Sequence, residues 1–431
     1  MIFFDAGHLI IYTFFGSRDC LVFIFNKSSP SKSCSLDPIP TSLLKECVNE
    51  LSPIIARIVN LSLETGTFPS LYKKAIVRPL IKKPSLERKL SNYRPVSNLS
   101  FVSKIIEEAV SRQTTNHLKI NCLNERMQSA YKKNHSTETA MISVLNNILN
   151  QLDKPNTAVL LANLDMSAAF DTVNHQVLFR RLQSTFGIHD MALKWFKSYL
   201  HKRKVCVKIE GEESDTIELD LSLPQGSKLG PRLYSDYTQP MGSLLRILIL
   251  LYHCYADDTS LAKSMRIDSK DTQIESAKSL ANSIEKIEKW TRDNKLKLNP
   301  DKTEFMVIAS TKNRSKIHVS TLDLPNNPIS TTPVSKSLGV SLDSSLSMEN
   351  HISNVCKVCY FYIRWIRSIR PFISIEQTKS LIQMLVICRI DYCNSLFVGL
   401  PNVLLARLER IMKVSARLIF KQPPPAPALT S

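Results

Sequence analysis

Along this chain the spacing of apolar residues switches between a helical and an extended period. Between residues 135 and 153, Ala140, Met141, Val144, Leu145, Ile148, Leu149 and Leu152 recur at helical intervals, with Ser136 or Thr137 placed to cap the first turn. Asp153-Lys154-Pro155-Asn156 breaks that pattern. Residues 157–164, "TAVLLANL", follow as an apolar run of strand length and predict a buried strand. A second long helix is predicted over residues 271–293, where Ile274, Ala277, Ala281, Ile284, Ile287 and Trp290 share one side.

The rest of the chain divides in the same way. Residues 41–65 and 101–118 are helical in pattern, and residues 177–186 and 191–200 form two shorter helices. Residues 75–81 predict a basic strand, 205–210 and 216–222 a strand pair around the turn near Gly211, and 304–309 and 337–342 two further strands. Residues 91–100, "SNYRPVSNLS", read as a loop, and residues 350–420 as basic helices. There are no internal repeats. A Ser/Pro/Lys linker at 26–35 sets off a greasy leader, read as a strand pair or a scrambled segment, and "PPPAPALTS" predicts a disordered tail. Asp5, Arg18 and Asp19 interrupt the leader, so its charge-free runs fall short of the roughly 18 residues a membrane span needs. It also lacks the basic start and small-residue cleavage site of a signal peptide.

Two places break the apolar pattern with acids. The run at 157–164 ends directly in Asp165, and Tyr255-Ala256-Asp257-Asp258 sits between an apolar run and a mostly apolar segment. Adjacent carboxylates repel, and burying one without a partner is costly. An Asp-Asp pair also serves as a plain polar turn between strands, and these residues alone leave both readings open. A carboxylate ending a buried strand points to a site rather than to a folding need. If the two places meet on adjacent strands, they form an acidic cluster suited to hard cations with oxygen ligands, of which Mg²⁺ fits best. Two such ions about 3.5–4 Å apart would activate a 3′-hydroxyl and stabilise a leaving pyrophosphate. Side chains alternate along a strand, so Asp257 and Asp258 diverge unless a turn separates them. Asp257 is expected to be the stronger ligand, Asp258 the weaker, and Asp165 the bridge between the ions. Asp171 is expected to cap the helix that follows instead of touching metal.

Charge narrows the partners. The 431 residues carry a formal charge of +18, which favours a polyanion such as nucleic acid or an acidic membrane surface. Their 43% hydrophobic content suffices for several packed subdomains. Scattered cysteines without a secretion signal read as reduced thiols of an intracellular protein. Cys356 and Cys359, with Cys388 and Cys393, imitate a zinc spacing but lie in greasy helical segments, so they read as core thiols. His8, His135, His175 and His253 lie near no nucleophile pair and are given no chemistry.

The segments "NYRPVSNLSFVSKIIE", "QSAYKKNHSTETA", "LDMSAAFDTVNH", "LPQGSKLGP", "YADD" and "KLKLNPDKTEFMVI" occur in this order. Together they resemble the reverse transcriptase of a non-LTR, LINE-type retrotransposon, nearest to the chicken-repeat and jockey-like groups. "LGVSLDSSLS" and "RIDYCNSLFVGLP" extend the likeness, which covers about residues 29–419. The resemblance implies an α/β (α+β) right-hand polymerase with fingers, palm and helical thumb. It implies a leader at 1–28, a helical extension at 29–62, fingers and palm at 63–343, a basic thumb at 344–421 and a tail at 422–431. It implies RNA-directed DNA synthesis on two Mg²⁺ ions, with Mn²⁺ as a substitute, and an RNA template, a DNA primer and deoxynucleoside triphosphates as partners, with no membrane. The setting would be nucleus or cytoplasm.

Residue by residue, the resemblance makes Asp165, Asp257 and Asp258 the metal-binding and catalytic acids, and Lys302 in "NPDKTE" the lysine that protonates pyrophosphate. Phe170 matches the aromatic gate under the incoming sugar, although a core aromatic is the plain alternative. Gln225 and Gly226 match the turn against nucleotide and template, where Gly permits close backbone approach. Arg94 and Lys83 match triphosphate-clamping fingers residues, with a solvated basic loop as the alternative for Lys83. Residues 337–343 resemble the primer grip. The chain departs from the family at Lys228, Arg232, Asn134 and Asn163, where apolar residues, or Gly at 134, are usual. A Lys and an Arg in the palm core would cost several kcal/mol unless they reach solvent or phosphate. The family's upstream endonuclease has no room before Ser29, so the chain reads as the polymerase section of a truncated or decayed element. The rival reading is a catalytically inactive nucleic-acid-binding remnant.

Overall fold

The computed structural model describes residues 36–83, 86–167, 169–324 and 328–422. The expected leader and linker, and the tail from residue 423, lie outside the described residues. In chain order the strands used below are β1 Lys74–Ile81, β2 Tyr93–Asn98, β3 Thr157–Leu164, β4 Arg203–Ile209, β5 Glu212–Glu213, β6 Ile217–Leu219, β7 Leu251–Tyr255, β8 Asp258–Arg266 and β9 Glu304–Ile308. The chain separates into two compact units. One comprises Met1–Arg126, Met166–Leu244 and Glu288–Lys297, and the other Met127–Asp165, Leu245–Ile287 and Leu298–Ser431.

In the first unit the sheet runs β2-β1-β4-β5, with β6 also on β4. β1 pairs antiparallel with β2 and parallel with β4. The expected loop at 91–100 therefore contains a strand. Pro95 argues against one, but β2 is the sheet edge, and Pro95 lies opposite Pro79, so the ladder places one missing N–H against another. The helical pattern at 41–65 resolves into Thr41–Glu46 and Val48–Thr65. Gly66 ends the second at φ 60, and the N–H groups of Gly66 and Thr67 return to the Leu63 and Ser62 carbonyls. Phe68 is fully buried, with its ring edge-on to Trp195 at 5.7 Å and to Tyr199 at 5.1 Å.

The helix Gly230–Ile247 was not anticipated, because Gly230, Pro231, Pro240 and Gly242 hide its period. The signal was present at four-residue intervals, since Leu229, Leu233, Tyr237 and Met241 are all buried.

In the second unit an antiparallel sheet runs β7-β8-β3-β9. β3 is covered on both faces. Val159 and Leu161 share one apolar cluster with Met141, Val144 and Ile148 of the helix Thr137–Leu152, while Ala158, Leu160 and Ala162 on the other face are equally buried. That helix starts where the pattern predicted: Ser136 and Thr139 cap each other reciprocally. The same cluster takes in Ile352, Cys356, Cys359 and Ile363 of Glu349–Ile369 and Leu408 and Ile411 of Asn402–Phe420. Burial pushes the Cys359 thiol up to about 11, in keeping with a core thiol. The strand expected at 337–342 is instead a hairpin, Val334–Ser337 with Val340–Asp343, because Leu338 and Gly339 both take positive φ and turn the chain. Among the described residues no helix is long and apolar enough to cross a membrane.

Phe68→Ala should lower unfolding stability by about 3–5 kcal/mol, because two aromatic partners cannot collapse into the space it leaves. A urea unfolding midpoint within error of the unsubstituted protein would contradict this packing.

Candidate active site

The ladder between β3 and β8 ends with Leu164 opposite Thr259. The residue beyond Leu164 is Asp165, and the residue before Thr259 is Asp258, so antiparallel pairing carries both acids to the same end of the sheet. β7 and β8 join through Ala256 and Asp257, with Tyr255 opposite Asp258. Asp257 thus lies in the turn and Asp258 opens the strand, so the alternation of strand side chains does not govern this pair. Desolvation, then the charges of Asp257 and Asp165, push the Asp258 carboxyl up to about 6, while Lys302 pulls it back. Much of Asp258 faces solvent, so like-charge repulsion is the firmer cause of that shift.

Asp165 is held by its surroundings. Lys302 Nζ lies 2.8 Å from its Oδ2 and Asn299 Nδ2 donates to the same oxygen at 3.3 Å, while the Asn299 N–H donates to the Asp165 carbonyl at 2.8 Å. The donor set suits a hard cation: the charges of Asp257 and Asp165 raise the proton affinity of Asp258, and an ion with oxygen ligands would relieve that repulsion. Among the described residues, however, no three His, Cys, Asp or Glu side chains stand ready to hold a metal, and the Lys302 ammonium sits on Asp165.

The turn itself is strained. Ala256 has φ 56, a conformation that a side chain disfavours and that two-residue hairpin turns usually fill with Gly or Asn. Gln128, 6% exposed, grips it: its Oε1 accepts from the Ala256 N–H at 3.0 Å and its Nε2 donates to the Ala256 carbonyl at 3.3 Å. The Cys254 N–H donates to the Met127 carbonyl at 2.8 Å and the Ser129 N–H to the Cys254 carbonyl at 3.0 Å, which fixes residues 127–129 beside β7. Sequence reasoning passed over Gln128, because nothing near "QSAY" signals a partner so far along the chain.

The remaining expected site residues lie in the first unit. Phe170 is half-buried, with its ring stacked on Tyr234 at 5.1 Å and an interplanar angle of 18°. Arg94 and Lys83 are both exposed at the β1–β2 hairpin, Arg94 opposite Leu80 and Lys83 just past the last pair. Gln225 Nε2 donates to Asp171 Oδ1 at 3.3 Å, and the Gln225 backbone carbonyl accepts from the Ser97 N–H at 2.7 Å. Gly226 has φ 115, and a Cβ there would run into the Ser97 carbonyl oxygen, so the close approach that requires Gly is to β2. Asp171 does not cap a helix. Asn174 does, accepting from the Val177 N–H at 3.1 Å, so the helix begins at His175.

The departures from the family pattern are accommodated. Lys228 is exposed, and its N–H donates at 2.7 Å to the fully buried Glu107, which also accepts from the Leu229 N–H at 3.3 Å. Glu107 thus anchors the "PQGSKLG" loop, and it went unremarked in the sequence although it is an acid on the apolar face of Phe101–Ile120. Arg232 meets Asp236 with two hydrogen bonds, at 2.6 and 3.2 Å, one turn along the same helix. Asn163 accepts from Ser260 Oγ and donates to Ser335 Oγ, each at 2.8 Å. Asn134 sits at φ 64, where only Gly is easier than Asn.

A profile of the family described as "Reverse transcriptase (RNA-dependent DNA polymerase)" matches residues 81–342, more than half of the chain. The chain is 26% identical over 365 residues to the "Probable RNA-directed DNA polymerase from transposon BS" of Drosophila melanogaster, covering 82% of this chain and 39% of that protein. To the "RNA-directed DNA polymerase from mobile element jockey" of the same species it is 27% identical over 307 residues, covering 70% of this chain and 32% of that protein. To the "Probable RNA-directed DNA polymerase from transposon X-element", also of D. melanogaster, it is 25% identical over 402 residues, 91% of this chain and 42% of that protein. The chain thus spans less than half the length of the curated relatives it matches. A Candida tropicalis telomerase structure superposes with a TM-score of 0.43 at 13% identity, over 91% of this chain and 65% of that chain, too loosely to support an argument.

Two substitutions test the packing of the first unit. Gly226→Ala should cost about 1–3 kcal/mol more than Gly211→Ala, because both have positive φ but only Gly226 faces a backbone oxygen. Arg232→Ala should cost about 3–5 kcal/mol by leaving Asp236 buried without its partner. Urea unfolding of the variants measures both; equal midpoints for the two alanine variants at glycine positions would remove the Ser97 contact from the account.

Proposed function

The chain belongs to the reverse transcriptase (RNA-dependent DNA polymerase) family, of the jockey-like, non-LTR retrotransposon kind, and on that premise we propose that it extends the 3′-hydroxyl of a DNA primer with deoxynucleotides on an RNA template. The observation that carries this reading is that the register brings Asp165, Asp257 and Asp258 to the same end of the β7-β8-β3 ladder, close enough for Asp165 and Asp257 to act on the Asp258 charge. Asp165, Asp257 and Asp258 would hold two Mg²⁺ ions, with Mn²⁺ as a substitute. When bound, the ions favour deprotonation of the 3′-hydroxyl and neutralise the charge that builds on pyrophosphate.

The chain's own residues do the rest. Lys302 leaves Asp165 and hands a proton to the departing pyrophosphate oxygen as the bond between the α- and β-phosphates breaks. Phe170, stacked on Tyr234, is a rigid surface that excludes a 2′-hydroxyl by contact. Gln225 and Gly226 lie against nucleotide and template. Arg94 and Lys83 take the triphosphate, Arg94 through paired hydrogen bonds. In this reading the described part of residues 29–62 is a helical extension, 63–343 are fingers and palm, and 337–343 form the primer grip. The basic helices of 344–421 are the thumb and track the phosphate backbone. The net charge of +18 supports the polyanionic partner.

A second reading, a binder of nucleic acid without turnover, is favoured by the Lys302–Asp165 ion pair, which occupies a carboxylate that the ions would need. Primer extension on an RNA template in Mg²⁺ separates the two. Asp257→Ala and Asp165→Ala should each lower kcat by at least about 100-fold. Asp171→Ala should stay within about threefold of the unsubstituted chain, as exposed substitutions do. Binding of primer–template with no extension in Mg²⁺ or Mn²⁺ would leave the second reading standing. Binding should also weaken steeply with salt, and a flat salt response would take the basic helices out of the reading.

A further inference from the structure

We propose that Gln128 is a positioning residue that holds the Ala256-Asp257 turn in the conformation that presents Asp257, and the inference rests on reading Asp257 as a catalytic carboxylate. The turn has a built-in conflict. Tyr255 and Asp258 are paired, so only Ala256 and Asp257 are left to reverse the chain, and the first of them must take positive φ. Ala resists that conformation, where Gly or Asn would adopt it freely. A β-hairpin with an ill-suited turn residue can relax by changing turn type, and each change re-aims the side chain at the second position. Here that side chain is the carboxylate of Asp257.

Gln128 resists this relaxation from outside the hairpin. One primary amide takes both backbone groups of Ala256, accepting from its N–H and donating to its carbonyl. A peptide flip on either side of Ala256 would break one of these part-buried bonds and leave the amide of the buried Gln128 without that partner. The gripping residue is itself fixed. Its Oε1 also accepts from the Ala130 N–H at 3.0 Å, and the backbone on either side of it is bonded to both groups of Cys254. Ser129 Oγ adds a contact of 2.8 Å to His253 Nε2 on the same strand. Residues 127–130 therefore lie along β7 as a strap, with Ser129 turned to His253 and Gln128 closing on the turn. Desolvation and the Asp257 charge raise the proton affinity of the Tyr131 phenol, which places the end of the strap within electrostatic reach of that acid.

A positioning role makes a prediction that a general stabilising role does not: the need for Gln128 should vanish if the turn no longer resists its conformation. The test uses the full chain as Gln128→Met, Ala256→Gly and the double variant. Primer extension kinetics and hydrogen exchange of the peptide spanning residues 252–260 are the readouts. Gln128→Met should lower kcat by about 100-fold while KM for the nucleotide stays within about threefold, as a misplaced catalytic group does. It should also speed exchange at the Ala256 amide. Adding Ala256→Gly should restore kcat by at least about tenfold, because Gly takes the positive φ unaided. Should Gln128→Met fail to fold, Gln128→Glu keeps the acceptor for both N–H groups and loses only the donor to the Ala256 carbonyl. It should show a smaller kcat loss with the same rescue. Unchanged exchange at Ala256 in the Gln128 variants, or a double variant no faster than the single one, overturns the proposal. If the unsubstituted chain extends no primer, the polymerase reading fails while the exchange measurement still decides whether Gln128 holds the turn.

Discussion

The antiparallel ladder between β3 and β8 keeps together acids that electrostatics would drive apart. Its register runs from Thr157 opposite Arg266 to Leu164 opposite Thr259, and the residues just beyond the last pair are Asp165 and Asp258. Backbone hydrogen bonds along the whole strand, with apolar packing on both faces of β3, outweigh the repulsion at one end. The repulsion persists in the raised proton affinity of Asp258 and in the recruitment of Lys302 to Asp165. A slip of one residue would turn every apolar side chain of β3 to its other face, so the register that fills the core also fixes the place of the acids.

The unusual residues have found local partners within their own units. Arg232 and Asp236 stand one helical turn apart with side chains 12% and 2% exposed, so the charge expected to burden the core is neutralised within its own helix. Lys228 reaches solvent while its backbone serves Glu107. Asn163 ties β3 to Ser260, its register partner on β8, and to Ser335. Each change is thus satisfied by geometry that a single sequence does not display. The expected cost of several kcal/mol belonged to unpaired groups, and these groups are paired.

Gly226 shows how a correct residue requirement can have an unexpected cause. The sequence marks it as a place of close approach, and the approach in the fold is to the Ser97 carbonyl on β2, with the Gln225 carbonyl bonded to the Ser97 N–H. Glu107 holds the other side of the same loop through the N–H groups of Lys228 and Leu229. The loop is thereby fixed between an edge strand and a buried acid, both far from it in sequence.

By itself, the sequence determined the elements whose pattern is local. The apolar stripe of Thr137–Leu152, its cap at Ser136, the continuous run of β3 and the acids at Asp165 and Asp257-Asp258 all follow from neighbouring residues, because helix and strand periods are short-range properties. It failed where a long-range partner overrides local preference. The edge position of β2 makes Pro95 acceptable in a strand, the buried four-residue spacing of Gly230–Ile247 outweighs its Gly and Pro, and Gln225 takes up Asp171 while Asn174 serves as the cap. Only the tertiary structure decided that β3 lies beside β8, that Lys302 returns to Asp165, and that Gln128 closes on Ala256. Those pairings join residues more than ninety positions apart, and a chain's periodicity holds no information about which of its distant segments will share a ladder.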